Sequence, residues 1–259
     1  MGRRMMRGVG WCGSKAAGLW LAGVCVVGLN AQAAQAGGWT ALFNGEDFEG
    51  WRVSPAAAES WRVVDGVIDC DPRTTTAGDA NLWTEGEYGD FVLYVEWRMT
   101  AAPTLEELPV IGPDGHPQTD ADGRPLTVRD YNADSGIYLR GMSKAQVNIW
   151  NWPVGSGEVY GYRTDGQMPA EVRAAVTPAS RADKPVGEWN TFVITMTGDR
   201  LSVLLNGAKV IDHARLPGVA ARGPLALQYH GGYDAAREQY RPASSLVQFR
   251  NLYIKALDP

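Results

Sequence analysis

No long segment between Trp39 and Leu257 repeats its apolar residues at helical spacing, and that absence constrains the fold more than any other feature. Alternation recurs instead, in short runs cut by Gly, Asp-Gly and Asn-Gly. In Phe91–Met99, Phe91, Leu93, Val95 and Trp97 take one side and Val92, Tyr94, Glu96 and Arg98 the other. Trp61–Val64 and Val67–Cys70 flank Asp65-Gly66, a strong hairpin signal. Residues 187–213 read as three strands joined by a Gly-Asp and an Asn-Gly turn. Further strands are predicted at 39–43, 81–84, 225–230 and 246–257, the last with a bulge at Asn251. One helical turn is predicted near Ala170–Ala175. About a dozen short antiparallel strands imply an all-β sandwich.

The first 36 residues stand apart. Arg3, Arg4 and Arg7 precede an apolar stretch, 16–29, and two small-x-small sites, Ala31-Gln32-Ala33 and Ala34-Gln35-Ala36. That is the pattern of a secretory signal peptide, too short for an ordinary membrane span, and it predicts a periplasmic or secreted protein. Residues 37–259 then form one domain. Removing the leader takes away four basic residues and no acidic one, so the formal charge of −5 becomes −9. An acidic exported domain is a poor partner for nucleic acid or anionic lipid. Cys12 and Cys25 leave with the leader, so Cys70 has no intramolecular partner, and its neighbours Asp69 and Asp71 disfavour a thiolate. Residues 101–130 carry Pro103, Pro109, Pro113, Pro117 and Pro125. They read as an insertion without regular structure, placed to overhang the two strands next in the chain.

Those strands are 134–141 and 146–152. Ile137, Leu139, Val147 and Ile149 point one way; Tyr138, Arg140, Gln146, Asn148 and Trp150 point the other. A solvent face usually carries Lys, Glu and Thr. This one carries flat rings and planar hydrogen-bonding groups, which suit sugars.

Four segments carry a resemblance: Phe43-Asn44-Gly45 with Gly50-Trp51; 135–140 (Ser-Gly-Ile-Tyr-Leu-Arg); Gly187-Glu188-Trp189-Asn190; and 223–231 with 247–251. In this order, across 38–257, the chain resembles the 3-keto-disaccharide hydrolase family. The fold this implies is a concanavalin A-like or laminin-G-like jelly-roll β-sandwich of two antiparallel sheets. The reaction it implies acts on a glycoside already oxidised at carbon 3. The ketone acidifies the carbon-2 proton, a base removes it, the carbon-1 substituent leaves, and water adds back. Many members carry Glu-x-Gln-Ile-x-Asp where this chain has Gln146-Val147-Asn148-Ile149-Trp150-Asn151, so both acids are amides here.

Such chemistry needs a base, an acid and a stabiliser for the enolate. His230 is the expected base. Arg140 is the expected clamp on oxyanion or hydroxyl. Glu158 is the acid expected in the same cleft, with Asp134 and Glu96 weaker. Asn148, Asn151 and Gln228 are expected to bind hydroxyls, and Tyr138, Trp150, Tyr160 and Tyr162 to stack on rings. His116 and His213 read as surface residues, and Trp61, Trp97 and Trp189 as core. A divalent cation such as calcium is an expectation only, because no acidic cluster has loop-ligand spacing. Two other readings stay open: a non-catalytic carbohydrate-binding module, and an ordinary two-carboxylate glycosidase.

Overall fold

The computed structural model describes residues 37–257. The predicted leader lies outside the described residues. In chain order the strands are β1 (Thr40–Ala41), β2 (Trp51–Arg52), β3 (Trp61–Val64), β4 (Val67–Cys70), β5 (Leu82–Thr84), β6 (Phe91–Met99), β7 (Thr104–Pro109), β8 (Thr127–Asn132), β9 (Asp134–Leu139) and β10 (Met142–Trp150). After them come β11 (Asn190–Thr197), β12 (Arg200–Leu205), β13 (Ala208–Arg215), β14 (Ala226–Leu227), β15 (Tyr233–Asp234), β16 (Gln239–Tyr240) and β17 (Val247–Ala256). Three short helices are α1 (Pro55–Ala58), α2 (Tyr160–Arg163) and α3 (Ala170–Ala175).

Two antiparallel sheets form the sandwich. The larger runs β13-β12-β11-β6-β17-β4-β3, with β1 added on β17; the smaller runs β10-β9-β14-β5-β2. The predicted alternation is what joins them. Phe91, Leu93, Val95 and Trp97 of β6, with Phe192, Ile194 and Met196 of β11, share one core with Ile137, Leu139, Val147 and Ile149 of the smaller sheet. Each such side chain taken out of water contributes about 1.5–3 kcal/mol, which is how a domain with no disulfide among the described residues is held. Turn chemistry sets the register: Asp65-Gly66 and Asn206-Gly207 each place both turn residues at positive φ, the hairpin geometry that matches strand twist.

The bulge at Asn251 is present, with φ of 51° and a register shift between Arg250 and Tyr253. It is required because Val247 and Phe249 face the core at odd positions while Leu252 and Ile254 face it at even ones. Cys70 is buried, and burial followed by Asp69 and Asp71 pushes its thiol well up. His116 and His213 are exposed.

Two expectations are corrected. The Pro-rich insertion has structure of its own: β7 and β8 pair from Thr104↔Asn132 to Pro109↔Thr127, and bridges continue outward at Ile111↔Pro117 and Thr119↔Pro125. Its prolines sit beside the ladder or at its end, where no strand donor is lost. Trp189 is not core. Its neighbour Asn190 pairs with Trp97 on the inner face, so Trp189 falls on the outer face, between the guanidinium groups of Arg250 at 4.0 Å and Arg98 at 4.7 Å.

Candidate functional site

Register assembles one face of the smaller sheet. Trp150 pairs with Asp134, Asn148 with Gly136 and Gln146 with Tyr138; Tyr138 then pairs with Ala226, and Ala226 with Trp83. Gln228 joins beside Gly136, through its N–H to the Gly136 carbonyl at 2.9 Å. Directly opposed residues share a face, so all of these lie on the side away from the core. Gly136 is required there, because a Cβ would overlap the Gln146 side chain that lies across it. From that position Gln146 donates to the Ser135 carbonyl at 3.2 Å and to Gln228 Oε1. The amides of this face are thus partly committed to one another. Asn148 differs: its Oδ1 is buried without a hydrogen-bond partner.

Two titratable groups, Asp134 and His230, meet at the end of this face. His230 Nε2 is 3.9 Å from Asp134 Oδ2, close enough for strong charge coupling and too far for a direct hydrogen bond. His230 Nδ1 lies 2.8 Å from the Ala243 carbonyl. A carbonyl only accepts, so Nδ1 carries the hydrogen and the neutral ring presents a lone pair at Nε2. Ser245 ties the pair together, accepting from the His230 N–H at 2.9 Å and donating to the Asp134 carbonyl at 2.5 Å. Asp134 Oδ1 is buried and unpartnered. Burial pushes the Asp134 carboxyl up to about 7, against a smaller opposing pull from His230. Tyr138, raised to about 12 by burial, keeps its hydroxyl proton.

The other expected residues divide between the face and the protein interior. Arg140 is 2% exposed and φ is 50°. Its guanidinium donates to the carbonyls of Gly89 (2.8 Å), Gly198 (2.7 Å) and Ala220 (3.0 Å) and to Asp90 (2.8 Å). Every face of the fork is engaged in joining loops of the two sheets, so it clamps protein and not ligand. Glu158 is fully buried in an ion pair with Arg163, whose Nη1 donates to the Gly115 carbonyl. Its carboxylate is neutralised in place, although its backbone accepts from Asn148 N–H beside the face. Tyr162 is buried in the core with its hydroxyl on the Pro217 carbonyl, so it is no platform. Trp150 is 3% exposed because Trp152 stacks on it at 4.2 Å. Tyr160 remains exposed, edge-on to Trp150. Asn151 bonds the Ala133 N–H and the Tyr131 carbonyl, turning the chain from β8 into β9. Glu96 is held by Arg250 and Tyr94 on the larger sheet.

The insertion hairpin borders this face. At its base Thr104 and Glu106 accept from Ala243 N–H, next to His230; at its tip Gly115 meets Arg163. Two cavities flank the face without containing the pair. One of about 520 Å³ opens at the end of the sandwich beside Trp150 and Asn151, and one of about 630 Å³ lies over Trp83. Proton transfer needs groups that can carry protons, so the Asp134–His230 pair, and neither cavity, is the candidate reacting centre. Among the described residues no group of three or more His, Cys, Asp and Glu could hold a metal. No helix among the described residues is long and apolar enough to cross a membrane.

A jelly roll with an acid–base pair at the end of a sheet face lined by amides and aromatic rings belongs to the carbohydrate-active proteins. More narrowly, the chain belongs to the 3-keto-alpha-glucoside-1,2-lyase-like family, whose model matches residues 38–255. Among solved structures it is similar to a candidate glycosyl hydrolase of Parabacteroides distasonis ATCC 8503, at 22% identity and a TM-score of 0.55, covering 85% of this chain and 84% of that one. A second structure of the same description and organism is 18% identical, also at 0.55, covering 89% and 99%. At these identities the likeness shows the fold. No curated protein matches the chain.

Proposed function

We propose that the protein is an exported enzyme that cleaves 3-keto-glycosides by elimination and hydration. The observation that carries this reading is the Asp134–His230 pair, because it supplies a base and an acid without the second free carboxylate that direct glycoside hydrolysis uses. In the forward step His230 Nε2 takes the carbon-2 proton. The electron pair forms the carbon-1–carbon-2 double bond, and the glycosidic oxygen leaves with a proton from Asp134. In the second step water adds, its hydroxyl to carbon 1 and a proton from His230 to carbon 2, and Asp134 recovers its own proton. Charge developing on the ketone oxygen is met by neutral donors of the face, the Tyr138 hydroxyl and the Asn148 amide.

The test is to incubate the protein with a 3-keto-glucoside and with its unoxidised parent. Aglycone release from the keto form alone is expected, and His230→Ala is expected to slow it by about 10²–10⁴-fold. Release from the parent overturns the reading, and so does turnover that survives His230→Ala. Binding of both sugars with turnover of neither would favour a carbohydrate-binding module instead.

A further inference from the structure

The cavity of about 630 Å³ over Trp83 takes no part in the chemistry above. It lies on the same face as the acid–base pair, because Trp83 pairs with Ala226 and Ala226 with Tyr138. Four residues of β9 and then two strand spacings separate Asp134 from Trp83, roughly 16 Å between backbones, which leaves room for about two hexose rings between them.

Trp83 is held in a way that packing alone does not require. Its indole N–H donates to Asp79 Oδ2 at 2.6 Å, and Asp79 Oδ1 accepts from the N–H and the amide of Asn81. Asn81 Oδ1 in turn accepts from Tyr229 N–H at 2.9 Å. On one side the ring meets Tyr138, tilted, with 5.8 Å between centroids. Trp83 lines the cavity and stays half-buried, whereas Trp61, Trp97 and Trp150 are at most 3% exposed. Arg52, paired with Trp83, and Asp79 also line the cavity and bring opposite charges. An immobilised aromatic face beside a balanced pair of charges and an amide suits a neutral, hydroxyl-rich ring, and a platform fixed in advance loses little entropy on binding.

We propose that this cavity is a distal sugar subsite, with Trp83 as its stacking platform, and that the protein takes glycosides extending at least two rings beyond the reacting bond. The proposal rests on the reacting centre assigned above, and its test does not need turnover. Calorimetric titration with unoxidised gluco-oligosaccharides, α-1,4- and β-1,4-linked, from disaccharide to pentasaccharide, should show affinity stepping up by about tenfold once the chain is long enough to reach Trp83. Trp83→Ala should abolish the step and leave disaccharide affinity unchanged, while Trp83→Phe, which keeps a ring, should retain part of it. Affinity independent of length, or a step that survives in a folded Trp83→Ala protein, overturns the subsite. Length-dependent binding lost in Trp83→Ala, with no turnover of any keto-glycoside, supports the subsite and overturns only the catalytic reading.

Discussion

Asp134 is the residue on which the chemistry and the stability of the site meet. Its carboxyl is raised from near 3.8 to about 7 because burial disfavours the charge. Between those values the folded protein holds a proton that the unfolded chain has released. The stability attached to Asp134 is therefore complete below the unfolded value and is lost as pH rises through 7. Asp134→Asn removes that dependence. Its unfolding free energy should gain on the parent protein between about pH 4 and about pH 7, by up to roughly 4 kcal/mol. A difference that stays constant over this range in urea titrations would show that Asp134 ionises normally. Activity should follow the same proton: if Asp134 is the acid, the parent loses rate above about pH 7. The sequence ranks Asp134 below Glu158, which lies between Gly157 and Tyr160. Burial and partner decide otherwise: Glu158 meets Arg163, and Asp134 faces an imidazole held by the Ala243 carbonyl.

At the scale of elements, the outer edge of β10 is closed by the segment that leads into α2. The backbone at Gly157–Glu158 bonds Asn148, and α2 then packs back on the strand. The Glu158–Arg163 pair locks that return, with the hairpin tip above it at Gly115. Breaking one side of a buried pair leaves a charge without a partner. Arg163→Met should thus cost about 3–5 kcal/mol in denaturant unfolding, and adding Glu158→Leu should recover most of it. A single variant within about 1 kcal/mol of the parent would mean the pair is solvated. Strands such as β3, β4 and β6 are legible in the sequence to the residue, because alternation and turn chemistry agree there. The pairing of β7 with β8 is not, since five prolines mask it and it shows only once the two arms lie side by side.

For the whole molecule, the open question is what besides its own side chains the site employs. The proposed base and acid are both side chains, so a chelator such as EDTA should leave turnover unchanged. A loss that calcium restores would establish a divalent site. Alternation, Gly-bearing turns and one bulge determined, from the sequence by itself, that the chain is a two-sheet sandwich with its core on named side chains. Those are local signals, repeated every few residues. Which polar residues face a ligand was decided only by tertiary structure. Arg140, Glu158 and Tyr162 carry the right chemistry, yet each spends it on protein groups brought from elsewhere in the chain: Gly198, Arg163 and Pro217. Asp134 and His230, far apart in the chain, become a pair because Ser245 bonds both. A hydrogen-bonding group is free or committed only with respect to its neighbours in space, and those neighbours are set when the two sheets close.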